Sequence, residues 1–598
     1  MLAVIFNWIY VIITTYITGF AVLTGISKIA CMYTEKGKKK IVYNYKYNES
    51  FLVAGILIVN VYAEIFSLFG KVSLAANAIL ILACVFLYYT YREEINSRII
   101  DGAAKIITSK SIPLYLIIFL VMAYGTSHGL MHYDTDLYHA QAIRWIEEFG
   151  VIKGLGNIHV RLGYNSASFA LSALYSGAFM GKPMHAMAGY FALLLAWQCA
   201  DLKNIVRRGH PVLSDFVRVM AIYYLFTVFD EIVSPASDYF MATMVFYIVI
   251  HWLDLFANHE KAFLPHALLA IFAVYITTIK LSAAPLVLLS IYPIVRIIRK
   301  RGKSGVRAIL LCVLFCFIIT VPYFVRNVIL TGYLVYPFPQ VDLFNVSWKI
   351  PVETAFNDAH EITAYGRGFT DLSAYSEPFI SWFPRWVSDL SAFNKLMFAL
   401  DLISFPVYIG CIIYYFVTEN NESKMKADGG NFKMEKVFHL SNRRMVTGLD
   451  FLFIEGITFI SLAYFIFTAP LVRYGGVYLW LPGMILLGRF LILLDSRLGS
   501  DADGYAYRVI VAIFAFFMIF KCAVLVRDDI PRFRTGYLVE QQEYNRYDLQ
   551  EKTVGDKVFY YPSEGDRTGY DSFPSVPNPD NIVLAGDSIK DGFLPPKS

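Results

Sequence analysis

The chain has 598 residues, 57% of them hydrophobic and only 17% charged. Soluble domains sit nearer one-quarter charged, so a water-soluble globule is excluded, and the mean hydropathy of +0.51 places most of the chain in a bilayer. The net charge of +5 falls mostly in a few short loops, a pattern that sets membrane orientation and gives no reason to expect nucleic acid as a partner.

An apolar run of roughly 20 residues spans a bilayer as a helix, and about fifteen such runs, some short, can be read here. The expected fold is an all-α polytopic membrane protein with about 13–15 transmembrane helices. The first run, Leu2–Leu23, has no basic leader and no clear small-residue cleavage site, so it reads as a retained span. Lys28, Lys36, Lys38, Lys39, Lys40 and Lys46 follow it. Lysine-rich short loops stay cytoplasmic, which puts the N-terminus outside. Phe51–Phe69 and Ser73–Tyr91 make a hairpin, Arg92, Arg98, Lys105 and Lys110 mark the next inner loop, and Ile112–Ser127 crosses outward.

That crossing delivers Gly129–Asn165, GLMHYDTDLYHAQAIRWIEEFGVIKGLGNIHVRLGYN, to the outer surface. It holds Asp134, Asp136, His132, His139, His159, Arg144 and Arg161, the densest set of reactive groups in the membrane part. Leu137, Ala140, Ile143, Ile146 and Phe149 recur every third residue beside Trp145. They predict an amphipathic helix lying in the interface, ended by a turn at Gly154, Gly156 and Asn157. The next two runs, Ser166–Gly181 and Met184–Ala200, conflict with the charges. Two full crossings would leave Lys203, Arg207 and Arg208 outside, where they are not expected. Following the charges requires one run to be short, tilted or re-entrant.

Leu213–Glu231 then leads out to the SPASD turn, Ser234–Asp238, and Tyr239–Phe256 returns. Leu264–Val295 is a hairpin with Lys280 at its bend, followed by an inner loop from Arg296 to Arg307. Val306–Val325 goes out to a long aromatic loop, 326–394, whose tryptophans suit the headgroup region. Residues 395–526 carry the remaining spans around an inner polar segment, Thr418–Met445, and the polar tail 527–598 should lie outside. The 7 cysteines sit mostly in or at the ends of apolar runs and read as small packing residues rather than metal ligands or disulfides. No internal repeat is visible.

Asp134 and Asp136 follow a span by a few residues, where water meets headgroups. An aspartate there can act as a general base, and two acids one residue apart can share a divalent cation. That cation is the one cofactor the pair could hold. On spacing alone, solvated acids beside a helix start are the simpler reading. His139 could serve as base, donor or orienting group, with a satisfied interfacial histidine as the plainer alternative. Asp238 could cap its helix or accept a hydrogen bond from a polar ligand. Lys280, Arg326 and Arg473 all fall at outer ends of spans, joined by Arg161 from the first loop. Each alone could snorkel or pair with Asp238 or Asp134. As a set they ask for an anion at headgroup level, for which a lipid phosphate is the natural partner. Glu64, Asp254, Asp401, Glu455 and Lys521 lie in or near apolar runs and, being scattered, read as contacts internal to the fold.

These residues resemble the GT-C fold glycosyltransferases, which take a sugar from a polyprenyl-phosphate carrier. YDTDLYH (Tyr133–His139) is similar to their first outer loop, SPASD to their later outer turn, and RN…GYLVYP (Arg326–Pro337) to the outer end of a later span. The fuller string YDTDLYHAQAIRWIEEFG…GLGN…R…NS resembles a subgroup of bacterial multispan proteins. The resemblance covers about Ile112–Leu494, with 1–111 as an N-terminal three-span addition and 112–325 as a GT-C-like core. It implies Asp134 as catalytic base, with Asp136 and His139 beside it. The implied substrate-binding set is Arg144, Arg161, Asn165, Asp238, Lys280, Arg326, Asn327 and Arg473. The implied partners are a polyprenyl-phosphate-linked sugar, membrane lipid, and a glycan, lipid or protein acceptor. The implied place is the bacterial cytoplasmic membrane, with the active face extracytoplasmic. No W-W-D-x-G string is present, which argues against an oligosaccharyltransferase. Two rivals stay open: a surface-polysaccharide polymerase or ligase using a diphosphate-linked carrier, and a transporter or lipid flippase, a class that commonly shows repeats and broken mid-membrane spans.

Overall fold

The structure is a computed structural model that describes residues 1–34, 49–208, 210–258, 260, 262–427, 448–497, 505–555, 557–580 and 582–596. The lysine-rich loop at 35–48 and most of the polar segment Thr418–Met445 lie outside the described residues. Among those described, nine helices are long and apolar enough to cross a membrane. The protein is a helical, multi-pass membrane protein.

The chain runs between two faces. One carries the C-terminal tail and is called the tail face here. The other carries described cations such as Lys105, Lys110, Arg296 and Arg299. α1 (Leu2–Thr34) starts at the tail face, where the Met1 ammonium donates to the Tyr537 carbonyl at 2.5 Å. α2 (Glu49–Ser67) returns against it. The two approach so closely that a Cβ on Gly19 would lie 1.8 Å from the Phe51 carbonyl oxygen, and one on Gly55 1.8 Å from that of Thr15. Small residues at such crossings let backbones meet where lipid gives no hydrophobic drive. α3 (Leu74–Thr108) and α4 (Ile112–Ser127) form the next pair, and α4 ends at the tail face, where the Gln542 N–H donates to the Ser127 carbonyl.

α5 (Ala140–Glu148) and α6 (Ala167–Tyr175) follow, then α7 (Met187–Cys199) and the short α8 (Asn204–Arg208). These settle the charge conflict. α6 has nine residues, about 14 Å of helix against a hydrocarbon core of about 30 Å. The chain on either side of it touches the tail: before it, Gln141 of α5 donates to the Gly569 and Ser572 carbonyls, and just beyond it the His185 N–H donates to Gln541 and Lys182 pairs with Glu540 at 2.7 Å. So α6 re-enters, and α7 alone carries the chain across. Lys203 then donates to Ser111 at 2.8 Å, beside the start of α4.

α9 (Leu213–Thr227), α10 (Ser237–Ala257), α11 (Phe263–Ile279), a 3-10 segment Leu281–Ser290 leading into α12 (Ile291–Arg301), and α13 (Lys303–Thr331) alternate between the faces. α4 and α11, with 16 and 17 residues, are apolar helices that fall short of the nine by length. The outer loop carries α14 (Val352–Gly366) and α15 (Phe379–Asp389). Trp382 and Trp386 of α15 are buried rather than spread in a headgroup layer, and the Trp386 indole donates to the Pro470 carbonyl at 2.6 Å. α16 (Ala392–Ala427), α17 (Gly448–Thr468), α18 (Val472–Arg497) and α19 (Tyr505–Asp529) complete the bundle.

Two expectations need correction. The amphipathic helix of the first loop does not lie in an open interface: Ile143, Trp145 and Ile146 are buried, packed between α6 and the tail. The all-α description holds for the membrane part only. The tail adds two antiparallel pairs, β1 (Leu549–Val554) with β2 (Lys557–Pro562) and β3 (Val583–Leu584) with β4 (Phe593–Leu594).

Candidate active site

The first loop is fixed by its backbone before any side chain acts. The Leu130 N–H donates to the Asp230 carbonyl at 2.6 Å, and a Cβ on Gly129 would stand 2.1 Å from that oxygen. Only glycine allows this approach. Two residues on, the His132 N–H donates to Ser234 Oγ at 2.8 Å, and that hydroxyl donates back to the Leu130 carbonyl. The SPASD turn thus holds the first loop in place through Ser234.

Asp134 precedes a π-helical turn, Thr135–His139, that runs straight into α5. π-turns occur often at functional sites. Its Oδ2 accepts from Arg473 Nη2 at 2.7 Å. Arg473, in the first turn of α18, reaches Asp238 Oδ2 with Nε at 3.6 Å, and Asp238 is also ion-paired with Lys280. Lys280 stands at the bend after α11, 4.2 Å above the Tyr474 ring. Arg473 Nη1 lies 2.9 Å from His132 Nδ1, which also accepts the Asp134 N–H at 3.0 Å. Burial, then the adjoining guanidinium, pushes the His132 pKa down, so the ring is neutral at pH 7 and free to accept. Four segments distant in sequence therefore meet: the first loop, the start of α10, the α11 bend and the start of α18. The charges balance, two against two. The side chains of Asp134, Lys280 and Arg473 are each about one-fifth exposed, at 18%, 21% and 19%, while Asp238 is at 5%. The cluster is shielded but reachable.

Asp136 goes elsewhere. Its Oδ2 accepts from Asn545 Nδ2 and Tyr547 OH, both at 2.7 Å, and its carbonyl takes the Thr568 and Gly569 N–H groups. Residues two apart on a helix do not share a face, so Asp134 turns to Arg473 while Asp136 anchors the tail. Burial raises the Asp136 pKa. With the two carboxylates committed to different partners, a cation shared between them does not fit this arrangement.

The remaining sequence candidates divide similarly. His139 is buried, its Nδ1 3.4 Å from Thr135 Oγ1 and its ring against Tyr138 and Phe169. Burial pushes its pKa well down, and it bonds to neither aspartate. Arg144 donates to the Tyr570 and Asp571 carbonyls and stacks on Tyr570 and Phe573, so it clips the tail. Arg161 pairs with Glu361 of α14 at 2.8 Å. Arg326 is 2% exposed, donating to Asn165 Oδ1 at 2.8 Å and to Ser67 Oγ, while Asn165 donates to the Tyr323 carbonyl. Asn327 donates to the Leu334 carbonyl. Arg326, Asn165 and Asn327 thus serve the fold around α13 rather than the cluster at Asp134. Among the intramembrane ionisable groups, Asp254 does have a charged partner, Arg218.

The sequence reading gave no role to His132, Ser234 and Tyr474. His132 stands two residues from Asp134 and Ser234 opens the SPASD string, both usable signals; Tyr474 had none. It also missed the buried network in which His185 Nε2 meets Glu147 at 3.0 Å, with Tyr570 on the other Glu147 oxygen and Tyr544 on His185 Nδ1.

No curated protein and no solved structure matches the chain. A family profile does match, over residues 1–480, which takes in every member of the Asp134 cluster and stops before the tail. The chain therefore belongs to the family described as a domain of unknown function, DUF8201.

Proposed function

We propose that the protein is an integral-membrane glycosyltransferase of GT-C type. It moves a sugar from a polyprenyl-phosphate carrier to an acceptor on the extracytoplasmic face of the bacterial cytoplasmic membrane, in the assembly of a cell-surface glycan or glycolipid. One observation carries this reading: Asp134, Asp238, Lys280 and Arg473 converge, partly open, at the membrane-boundary ends of their helices.

In this mechanism the carrier phosphate binds Arg473 and Lys280, displacing Asp134 from Arg473 while Asp238 stays paired with Lys280. Arg473 suits this exchange because its guanidinium forms fork-like bonds to carboxylate and phosphate alike. Releasing Asp134 from Arg473 frees its Oδ2 to accept a proton when the donor is in place. Asp134 takes the proton of an acceptor hydroxyl. The oxygen attacks the anomeric carbon, the bond to the phosphate oxygen breaks with inversion, and the electron pair leaves on the lipid phosphate. The two cations stabilise the charge that develops there. Asp238, held by Lys280, sets the geometry. Arg326 lies outside this step, because it is enclosed around α13, only 2% exposed and bonded to Asn165 and Ser67.

The test is turnover in proteoliposomes carrying polyprenyl-phosphate-linked sugars, read as release of polyprenyl phosphate. Wild type should release it and Asp134→Asn should not, at equal protein level. Equal turnover by the two would reject Asp134 as the base, and no release by wild type with any sugar tested would reject the class.

A further inference from the structure

Tyr138 follows Asp134 by four residues, and the two stand over the same side of the π-helical turn between them. The carboxylate and the phenol therefore reach the cluster together. The ring is fixed from behind. It meets Tyr164 edge-on with ring centres 5.6 Å apart and packs against His139 at 4.3 Å. Tyr164 is in turn tied to Asp358 Oδ1 at 2.7 Å. Only 9% of Tyr138 is exposed.

Its hydroxyl is uncommitted. Asp134, Asp238, Lys280, Arg473 and His132 bond to one another. The Tyr138 hydroxyl has no hydrogen-bond partner among the described residues, yet its oxygen is not sealed from solvent. Burial first, then the charge of Asp134, pushes its pKa well above that of a free phenol, and Tyr474, Asp238 and Arg473 also stand close enough to act on it. Tyr138 therefore keeps its proton and is a neutral donor set among charges. A polar group so enclosed is costly without a partner. Its acceptor has to come from outside the fold: water in the free protein, a ligand oxygen when the site is filled.

The carrier phosphate brings such an oxygen to the two cations beside it. We propose that Tyr138 is a further catalytic residue, whose O–H donates to the carrier-phosphate oxygen that parts from the anomeric carbon. This rests on the carrier reading of the Asp134 cluster. The phenol keeps its proton throughout. The electron pair stays on the phosphate oxygen, and the hydrogen bond strengthens as charge gathers there.

The experiment is native mass spectrometry of the full-length protein offered undecaprenyl phosphate or undecaprenol, which differ only in the phosphate. Wild type should retain the phosphate at least about tenfold over the alcohol. Tyr138→Phe deletes the hydroxyl and keeps the ring packing. It should retain the phosphate about tenfold less than wild type, the size of one hydrogen bond to a charged group, with the alcohol unchanged. An equal fall in both lipids would make Tyr138 a packing residue and overturn the proposal. A wild-type preference for the phosphate that Tyr138→Phe leaves intact would overturn the assignment of Tyr138 alone. Equal retention of the two lipids by wild type would overturn the carrier reading and this assignment with it.

Discussion

Arg473 and Arg326 look alike in sequence, each an arginine at the outer end of an apolar run, yet the fold uses them in opposite ways. Arg326 is closed in. It joins α2 through Ser67 and the first loop through Asn165, both neutral, and only 2% of it meets solvent. Arg473 is surrounded by groups that can let go: two carboxylates, a neutral histidine and a mouth that is about one-fifth open. A buried charge that only cements helices is costly and inflexible. A partly exposed one with anionic partners can exchange them for an incoming anion. The difference separates scaffold from site, and it was invisible until the partners were known.

The contrast can be broken most sharply at Arg473. Arg473→Ala should lower sugar transfer by roughly 10²–10³, the loss usual for one preorganised charge-stabilising group, with a small change in melting temperature. A fall in stability as large as the fall in activity would make Arg473 scaffold too. Arg326→Met should do the reverse. It strands the Asn165 and Ser67 oxygens, so stability should drop by about 1–3 kcal/mol, read as thermal unfolding in detergent. Retained stability with lost lipid binding would move Arg326 back into the site.

A third measurement probes the rim. Burial raises the Asp358 pKa from 3.8 to about 6, with Tyr164 donating to its Oδ1 at 2.7 Å. The folded state therefore keeps a proton that the unfolded chain gives up first. Its contribution to stability should be fully present below about pH 4 and fall by roughly 2–3 kcal/mol as pH rises through 6. Asp358→Asn should flatten that part of the profile, and an unchanged slope would show that Asp358 does not titrate there. The smallest effect is expected at Asp136. Asp136→Ala removes two hydrogen bonds to the tail, about 1–3 kcal/mol locally. Faster amide exchange at Thr568 and Gly569 with turnover retained would confirm it as an anchor, and loss of turnover without faster exchange would return it to the chemistry.

Much of the fold was legible because membrane physics is simple. The loop cations gave the alternation of faces, and their conflict over 166–202 correctly demanded a run that does not cross, which is α6. Asp134, Asp238, Lys280 and Arg473 were each placed at the boundary by span ends, and they do meet. What failed has a common cause. Asp136, Arg144 and the amphipathic stripe of α5 are explained by a tail some 400 residues away in the chain, and periodicity carries no information about partners so distant. The strand pairs of the tail were hidden by its mixed polar composition. Arg326 was misread because an apolar run does not say which of its charges the fold encloses.

The proposed carrier site at the Asp134 cluster is tested most directly by the lipid that stays with the protein. Mass spectrometry of lipids extracted from the protein purified from membranes, wild type beside Arg473→Ala, reads it without choosing a substrate. A polyprenyl-phosphate sugar in the wild-type extract, depleted at least about tenfold in the variant, is the expected result. Its absence from wild type, or equal amounts in the two, would contradict the assignment of this cluster to a carrier phosphate.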